Sequence, residues 1–320
     1  MSDTGKPTVV VVNGTAGEGY WATYYLLKTG LFNVKATVRR PDSQLSQKLK
    51  DLDVDGNRCD VVQAATNDQG ALEKAFDGAT AIYGTSVYNI YAKRYRPANP
   101  EEREQCRAVV NAARNTSSLE HFVWQTMTRF ELPPEEIGLE APIHFRTKWQ
   151  FEEVIQDYDL PWTFLRQPAY MRQVKFGLQY KNRLVYPYSP DSRLSFVSEV
   201  DLGKFVAGIM QQRDEHLHKV VNGVTEVITP VELAERIARF KSGFKSHYRQ
   251  ASWIENAIFD QIIVGLKPAF NYPKQINHNI MAGNYFSMYE KDKAYCEKLT
   301  GDWGLTTLED WLDDWFAGRI

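Results

Sequence analysis

The segment Asn13-Gly14-Thr15-Ala16-Gly17-Glu18-Gly19 separates a short apolar run from an amphipathic stretch, and its chemistry is that of an anion cradle. Glycine lets the chain turn tightly and lets the backbone come close to a ligand. A helix opening straight after such a turn offers unpaired N–H groups and a partial positive charge, a combination that seats a diphosphate. The spacing Gly14-x-x-Gly17-x-x-Tyr20 lacks a glycine at its third position, although Gly19 lies one residue earlier. Either the helix stands farther from its strand, or Gly19 takes over the close approach. At the end of the next strand, ~20 residues on, an acidic side chain would accept hydrogen bonds from a ribose 2′-hydroxyl. This chain has Arg39 and Arg40 there. A guanidinium cannot accept such bonds, but its planar fork matches a 2′-phosphate. The predicted cofactor is therefore NADP(H) rather than NAD(H); the competing reading is a pair of solvated arginines ahead of a helix.

A second group of candidates could pass protons. His144 and Lys148 fall one turn apart on a predicted helix, so they share a face. Imidazole can act as acid or base near neutral pH, although a histidine at a helix start also serves as a cap or a packing residue. Lys148 can anchor a ribose or act as the base. At the end of the fifth strand, Thr126 offers a hydroxyl and Gln125 an amide that could orient a carbonyl, unless both are simply satisfied strand-end groups. After the sixth strand, Pro168 fixes a turn where the backbone would pass a nicotinamide, and Tyr170 and Met171 can wall a substrate site.

These side chains need a scaffold, and the hydrophobic pattern supplies one. Predicted strands at 8–13, 34–39, 59–63, 79–85, 121–125 and 162–166 alternate with predicted helices at 17–29, 41–52, 68–76, 100–114 and 144–158. The β-branched run at 8–13 reads as a parallel strand buried on both faces. Strict alternation with short connections predicts an α/β fold, a Rossmann-type doubly wound parallel sheet of six strands. Past residue 167 the rhythm breaks into short β-like pieces at 184–188, 194–197 and 220–221, helices at 200–211 and 230–240, and a helical, aromatic-rich tail. We expect residues 1–166, with interleaved segments around 195–225, to form the dinucleotide-binding domain. Residues 167–194 and 226–320 are expected to form a smaller C-terminal α/β cap.

Composition narrows the function classes. A formal charge of −2 in 320 residues, with both signs interspersed, gives no basic face for nucleic acid. The sequence contains no run of ~20 apolar residues, so no membrane partner is expected. Cys59, Cys106 and Cys296 are scattered, without metal-ligand spacing, and read as reduced thiols of a cytoplasmic protein without a metal. Aromatic residues make up 13% of the chain. Trp149, Trp162, Tyr170, Phe176, Tyr180, Trp253, Phe270, Tyr272, Tyr285 and Phe286 exceed what a small cap needs for its own core. Of these, Tyr170, Trp253, Tyr285 and Phe286, together with Met171 and Tyr88, are the candidate substrate-binding residues.

With these residues assembled, the chain resembles the NmrA-like group of atypical short-chain dehydrogenases/reductases, which includes isoflavone-reductase-like enzymes. The resemblance rests on the loop at Gly14–Tyr20, VRRPDS at Val38–Ser43, HFVW at His121–Trp124 and HFRTKWQFEEVI at His144–Ile155. LPWTFLRQPAYM at Leu160–Met171 and VSEVDLGKFVAGIM at Val197–Met210 extend it. It implies NADP(H) on Thr15, Gly17, Glu18 and Gly19, with Arg39 on the 2′-phosphate; Gly14, Ala16 and Arg40 are further cofactor-binding candidates. It also places Thr85, Lys148 and Pro168 near the nicotinamide half; Ser86 and Gln125 are further cofactor-binding candidates. Ala64 falls where relatives often carry an acidic residue against adenine. Short-chain reductases use a Tyr-x-x-x-Lys pair, and here His144 takes the tyrosine's place. The expected function is an NADP(H)-dependent oxidoreductase acting on a bulky, apolar small molecule in specialised metabolism, including redox-mediated cyclisation or rearrangement. The chain is expected to be a monomer or homodimer. The alternative is a non-catalytic NADP(H) sensor that regulates a protein partner.

Overall fold

The computed structural model describes residues 5–87, 100–127, 143–178, 182–186, 188–252, 255 and 289–317. The first half alternates in the order β1 (Thr8–Val11), α1 (Gly17–Thr29), β2 (Asn33–Val38) and α2 (Gln44–Lys50). A small hairpin of β3 (Asp53–Val54) and β4 (Asn57–Arg58) precedes β5 (Asp60–Gln63). Then come α3 (Gln69–Phe76), β6 (Ala81–Gly84), α4 (Pro100–Arg114), β7 (His121–Met127), α5 (Ile143–Asp157) and β8 (Trp162–Gln167). The second half adds β9 (Ala169–Tyr170), α6 (Val174–Gly177), β10 (Val185–Tyr186), β11 (Leu194–Val197), α7 (Glu199–Gln211) and α8 (Arg213–His216). After them follow β12 (Lys219–Asn222), β13 (Glu226–Ile228), α9 (Pro230–Phe240), β14 (Arg249–Gln250), α10 (Lys293–Thr300) and α11 (Leu308–Phe316).

The central sheet is parallel throughout, in the order β12-β8-β7-β6-β1-β2-β5. It has seven strands, not the six expected. The extra one, β12, grows from the predicted piece at 220–221 and pairs with β8 from Lys219↔Thr163 to Asn222↔Arg166. The β-branched run of β1 explains its central place, since a strand covered on both faces has no side that must stay polar. Val9 and Val11 pack toward α1 and α7, and Val10 and Val12 pack among side chains of α3, α4 and α5. Two glycines on α7 let its neighbours come close: a Cβ on Gly203 would lie 2.4 Å from the Trp21 backbone, and one on Gly208 would lie 2.6 Å from Leu299 O.

Short β-pieces and the last helices build a separate apolar core. The three-stranded sheet β13-β11-β9 contributes Leu194, Phe196 and Ile228, α9 adds Leu233 and Ile237, and α11 adds Leu308, Trp311 and Leu312. Helix α9 begins with Pro230 behind a reciprocal Thr229–Glu232 capping box. The helix expected at 41–52 starts only at Gln44, because the Ser43 side chain accepts the Ser46 N–H and caps it there. Trp162, expected among the cap aromatics, instead stacks on Phe164 at 4.1 Å against the sheet core. All three cysteines are free and buried. No described helix is long and apolar enough to cross a membrane.

Candidate cofactor and active site

The strand order reverses beside β1: the chain steps outward through β2 and β5 on one side and through β6, β7 and β8 on the other. In open α/β sheets the crevice at the carboxyl ends of the strands flanking this point is the ligand site. The Gly14–Gly19 loop lies there. Asn13 turns the chain with a left-handed φ of 59°. Its N–H donates to Thr37 Oγ1 at 3.0 Å, and the Gly14 N–H donates to Thr37 O at 2.8 Å, so the loop is pinned to the end of β2.

Helix α1 then opens without a side-chain cap at Ala16. The N–H groups of Gly17, Glu18 and Gly19 are left without an acceptor among the described residues. These are orphan donors of a helix mouth, which an anion would satisfy. The glycine spacing also resolves. A Cβ on Gly19 would lie 2.3 Å from Asn13 O, so Gly19 makes the close approach that the missing third glycine would otherwise make. The three atoms nearest to a Cβ on Gly17 would all be side-chain atoms, Glu199 Cγ at 3.3 Å, Glu199 Cβ at 3.7 Å and Arg172 Nη1 at 3.8 Å. Arg39 and Arg40, beyond the end of β2, are exposed and form no ion pair among the described residues. A diphosphate therefore fits the loop's donors, and a 2′-phosphate would meet an available guanidinium at Arg39.

Lys148 is held in a buried cage. Its Nζ donates to Ser86 O at 3.0 Å and to Ser86 Oγ at 2.8 Å, and it lies 3.3 Å from Glu102 Oε1. Ser86 Oγ in turn donates to Glu102 Oε1 at 3.0 Å. Helix α4 sets this geometry from one face. Glu102 meets Ser86, and Gln105, one turn later, accepts the Val87 N–H at 3.0 Å, fixing the chain just beyond β6. Cys106 also lies against this cage, where burial pushes its thiol up to about 12 and keeps it inert as a nucleophile. The Trp149 indole donates to Met127 O at 3.0 Å and so fastens α5 to the end of β7.

Alternation along β7 separates its two polar candidates. Val123 packs on the α1/α7 side of the sheet and Trp124 on the α4/α5 side, so Gln125 and Thr126 point to opposite faces. Gln125 accepts the Tyr83 hydroxyl at 2.6 Å, and its amide donates to Gln167 Oε1 at 2.5 Å and to Tyr170 Oη at 3.2 Å. Burial and the nearby Glu18 charge raise the Tyr83 and Tyr170 hydroxyls, keeping both protonated. The Gln125 amide is thus already committed within the protein. Thr126, on the face of α5 and Lys148, has a buried hydroxyl with no hydrogen-bond partner among the described residues, as do Thr85 Oγ1 and Trp124 Nε1. An unsatisfied buried hydroxyl costs ~1–3 kcal/mol, which a bound carbonyl or hydroxyl could relieve.

Other expected residues fall less centrally. Met171 is fully buried in the cap core, where it packs rather than faces an open wall, and Ala64 is buried in the sheet core just past β5. Pro168 is buried between β8 and β9. His144 lies in the first turn of α5, but its side chain is outside the described residues, as are Tyr88, Trp253, Tyr285 and Phe286. Sequence reasoning missed Tyr83, Glu102, Arg172 and Glu199. The signals that could have found some of them are the acidic pair Glu101–Glu102 opening α4 and Arg172, two residues past Tyr170.

The fold and this loop define a doubly wound α/β protein with a dinucleotide-type cradle at the switch point of its sheet. The chain belongs to the NmrA-like family, whose model matches residues 5–312. It is 23% identical to an NmrA-like family domain-containing oxidoreductase, notA of Aspergillus sp. (strain MF297-2), over 100% of each chain. It is 29% identical to a second, hkm9 of Aspergillus hancockii, but that match spans 37% of this chain and about a third of the relative's length. Among solved structures, triphenylmethane reductase of Citrobacter sp. in complex with NADP(H) aligns at TM-score 0.72 and 22% identity, over 96% of this chain and 99% of that one. NmrA, a negative transcriptional regulator, in complex with NADP, aligns at TM-score 0.70 and 15% identity, over 98% and 96%.

Proposed function

We propose that this protein is an NADP(H)-dependent oxidoreductase acting on a bulky, largely apolar small molecule, in specialised metabolism. The observation that carries the reading is the buried Lys148 ammonium, caged by Ser86 and Glu102 on the side of the sheet where Thr126 presents an unpartnered hydroxyl. The oxidoreductase names of the two fungal relatives support it. When bound, NADP(H) supplies the hydride chemistry. The chain's own residues do the positioning. N–H groups of Gly17, Glu18 and Gly19 hold the diphosphate, and Arg39 holds the 2′-phosphate. Lys148 anchors the nicotinamide ribose or passes a proton to the substrate oxygen, and Thr126 orients that oxygen. The same parts suit a redox-mediated rearrangement or cyclisation, which needs only a retained cofactor and an enclosing apolar site.

A second reading, a sensor that binds NADP(H) without turning it over, is favoured by one observation. Lys148 donates twice to Ser86 and has the Glu102 carboxylate at 3.3 Å, so its charge is compensated inside the protein, as a structural lysine's would be. The test is mass spectrometry of the small molecules altered when purified protein and NADPH or NADP+ are incubated with extract of the producing cells, beside Lys148→Ala. The enzyme reading expects a mass change of two hydrogens, or an isomer, in a compound that the variant leaves alone. No altered compound, together with very different affinities for NADP+ and NADPH, would establish the sensor.

A further inference from the structure

We propose that Arg172 is a latch for the cofactor's diphosphate, held by Glu199 until the nucleotide arrives and then transferred to it; this rests on the reading that NADP(H) lies on the Gly14–Gly19 loop. Three features meet at one spot. The space beyond Gly17, which its absent side chain leaves for a diphosphate, is bordered by Glu199 Cγ at 3.3 Å and Arg172 Nη1 at 3.8 Å from the ideal Cβ position. Arg172 is half-exposed and pairs with Glu199 Oε1 at 2.8 Å, while Glu199 is mostly buried on the first turn of α7. The Arg172 guanidinium also rests 4.4 Å over the Tyr170 ring, a support that orients it without fixing it to one anion.

Charge gives the pair its purpose. Glu18 in the first turn of α1 and Glu199 both border the loop, so a diphosphate would meet two carboxylates in a partly desolvated site. One guanidinium stands among them, with Lys175 acting more weakly on Glu199, and its fork suits a diphosphate's oxygens as well as a carboxylate's. On binding, Arg172 gives up its bond to Glu199 Oε1 and pairs with a diphosphate oxygen, with no covalent change. Glu199 is thereby a competitor for the arginine that the cofactor needs. The two partners of one ion pair should then act on affinity with opposite signs, which a merely structural pair would not do.

Titration calorimetry on the full chain tests this with three probes: NADPH, ADP, which carries a diphosphate without the 2′-phosphate, and adenosine 2′-phosphate, which lacks the diphosphate. Arg172→Ala should weaken NADPH and ADP by about tenfold, the size of one lost charge-assisted contact, and leave adenosine 2′-phosphate unchanged. Glu199→Gln should tighten NADPH and ADP by about threefold. Arg172→Lys, which keeps the charge but loses the fork, should fall between wild type and Arg172→Ala, and it substitutes for that variant should Arg172→Ala fail to fold. Unchanged affinity in the arginine variants, or weaker binding by Glu199→Gln, would overturn the latch. Absence of heat from the wild type with every probe would instead remove the cofactor reading beneath it.

Discussion

Glu102 matters to this site because it makes Lys148 a placed charge rather than a free one. An ammonium with two serine contacts and a carboxylate at 3.3 Å is held to one position in a region closed to water. Removing one partner of a buried pair leaves the other charge poorly compensated. Glu102→Gln keeps the shape and discards the charge, so we expect a loss of ~1–3 kcal/mol in the urea unfolding free energy. An unchanged urea midpoint would mean that the two groups do not meet. Glu102 could not be read from the sequence as a partner of Lys148, because the contact is made only when α4 and α5 pack side by side. Lys148 itself was legible because its spacing from His144 places it on a helix face. Gln125 illustrates the converse: its position at a strand end was readable, but whether its amide was free depended on Tyr83, Gln167 and Tyr170, which come from other strands.

At the scale of elements, the strand–loop–helix unit at the amino end was the most legible part of the chain, since its signals are local. A short β-branched run bounded by turn residues reads as a buried strand, and glycines before an amphipathic stretch mark the turn. The irregular spacing left one choice open, and packing decided it: Gly19, not Tyr20, sits where backbone meets backbone. Gly19→Ala would force a Cβ to within 2.3 Å of Asn13 O and so must displace the loop. We expect that variant to lose ~1–3 kcal/mol of stability and most of its nucleotide affinity. Gly70→Ala is the control, because a Cβ there meets only Asp68 Oδ1 at 3.8 Å. Equal thermal shifts and equal affinities in the two variants would contradict the close approach. The seventh strand, β12, was harder to read because four residues after a four-residue helix carry little periodicity. Its pairing with β8 is a long-range fact.

Across the whole molecule, buried polar clusters tie the layers together. Asp201 on α7 accepts from Thr225 Oγ1 at 2.7 Å and from Thr306 Oγ1 at 2.8 Å and pairs with Lys204 at 2.7 Å, locking the chain before α11 onto the sheet domain. At the opposite ends of the strands, His121 is buried at the start of β7, its Nε2 2.8 Å from Thr163 Oγ1. Burial, with Arg213, His216 and His218 nearby, pulls its folded-state value from 6.5 down to about 3. Below pH ~6.5 the unfolded chain takes up this proton before the folded chain does. The stability His121 contributes is therefore complete above that pH and is lost progressively toward pH 3. Urea midpoints between pH 7.5 and 4.5 should fall less steeply for His121→Asn than for wild type; parallel curves would remove His121 from the acid response. The account as a whole stands on the cradle and its guanidinium, and titration calorimetry with NADPH and NADH on wild type and Arg39→Asp addresses both. We expect the wild type to bind NADPH more tightly than NADH, and Arg39→Asp to lose about tenfold for NADPH while binding NADH at least as tightly, since a carboxylate there can accept from the ribose 2′-hydroxyl. Heat from neither nucleotide, or equal NADPH affinity in the two proteins, would contradict it.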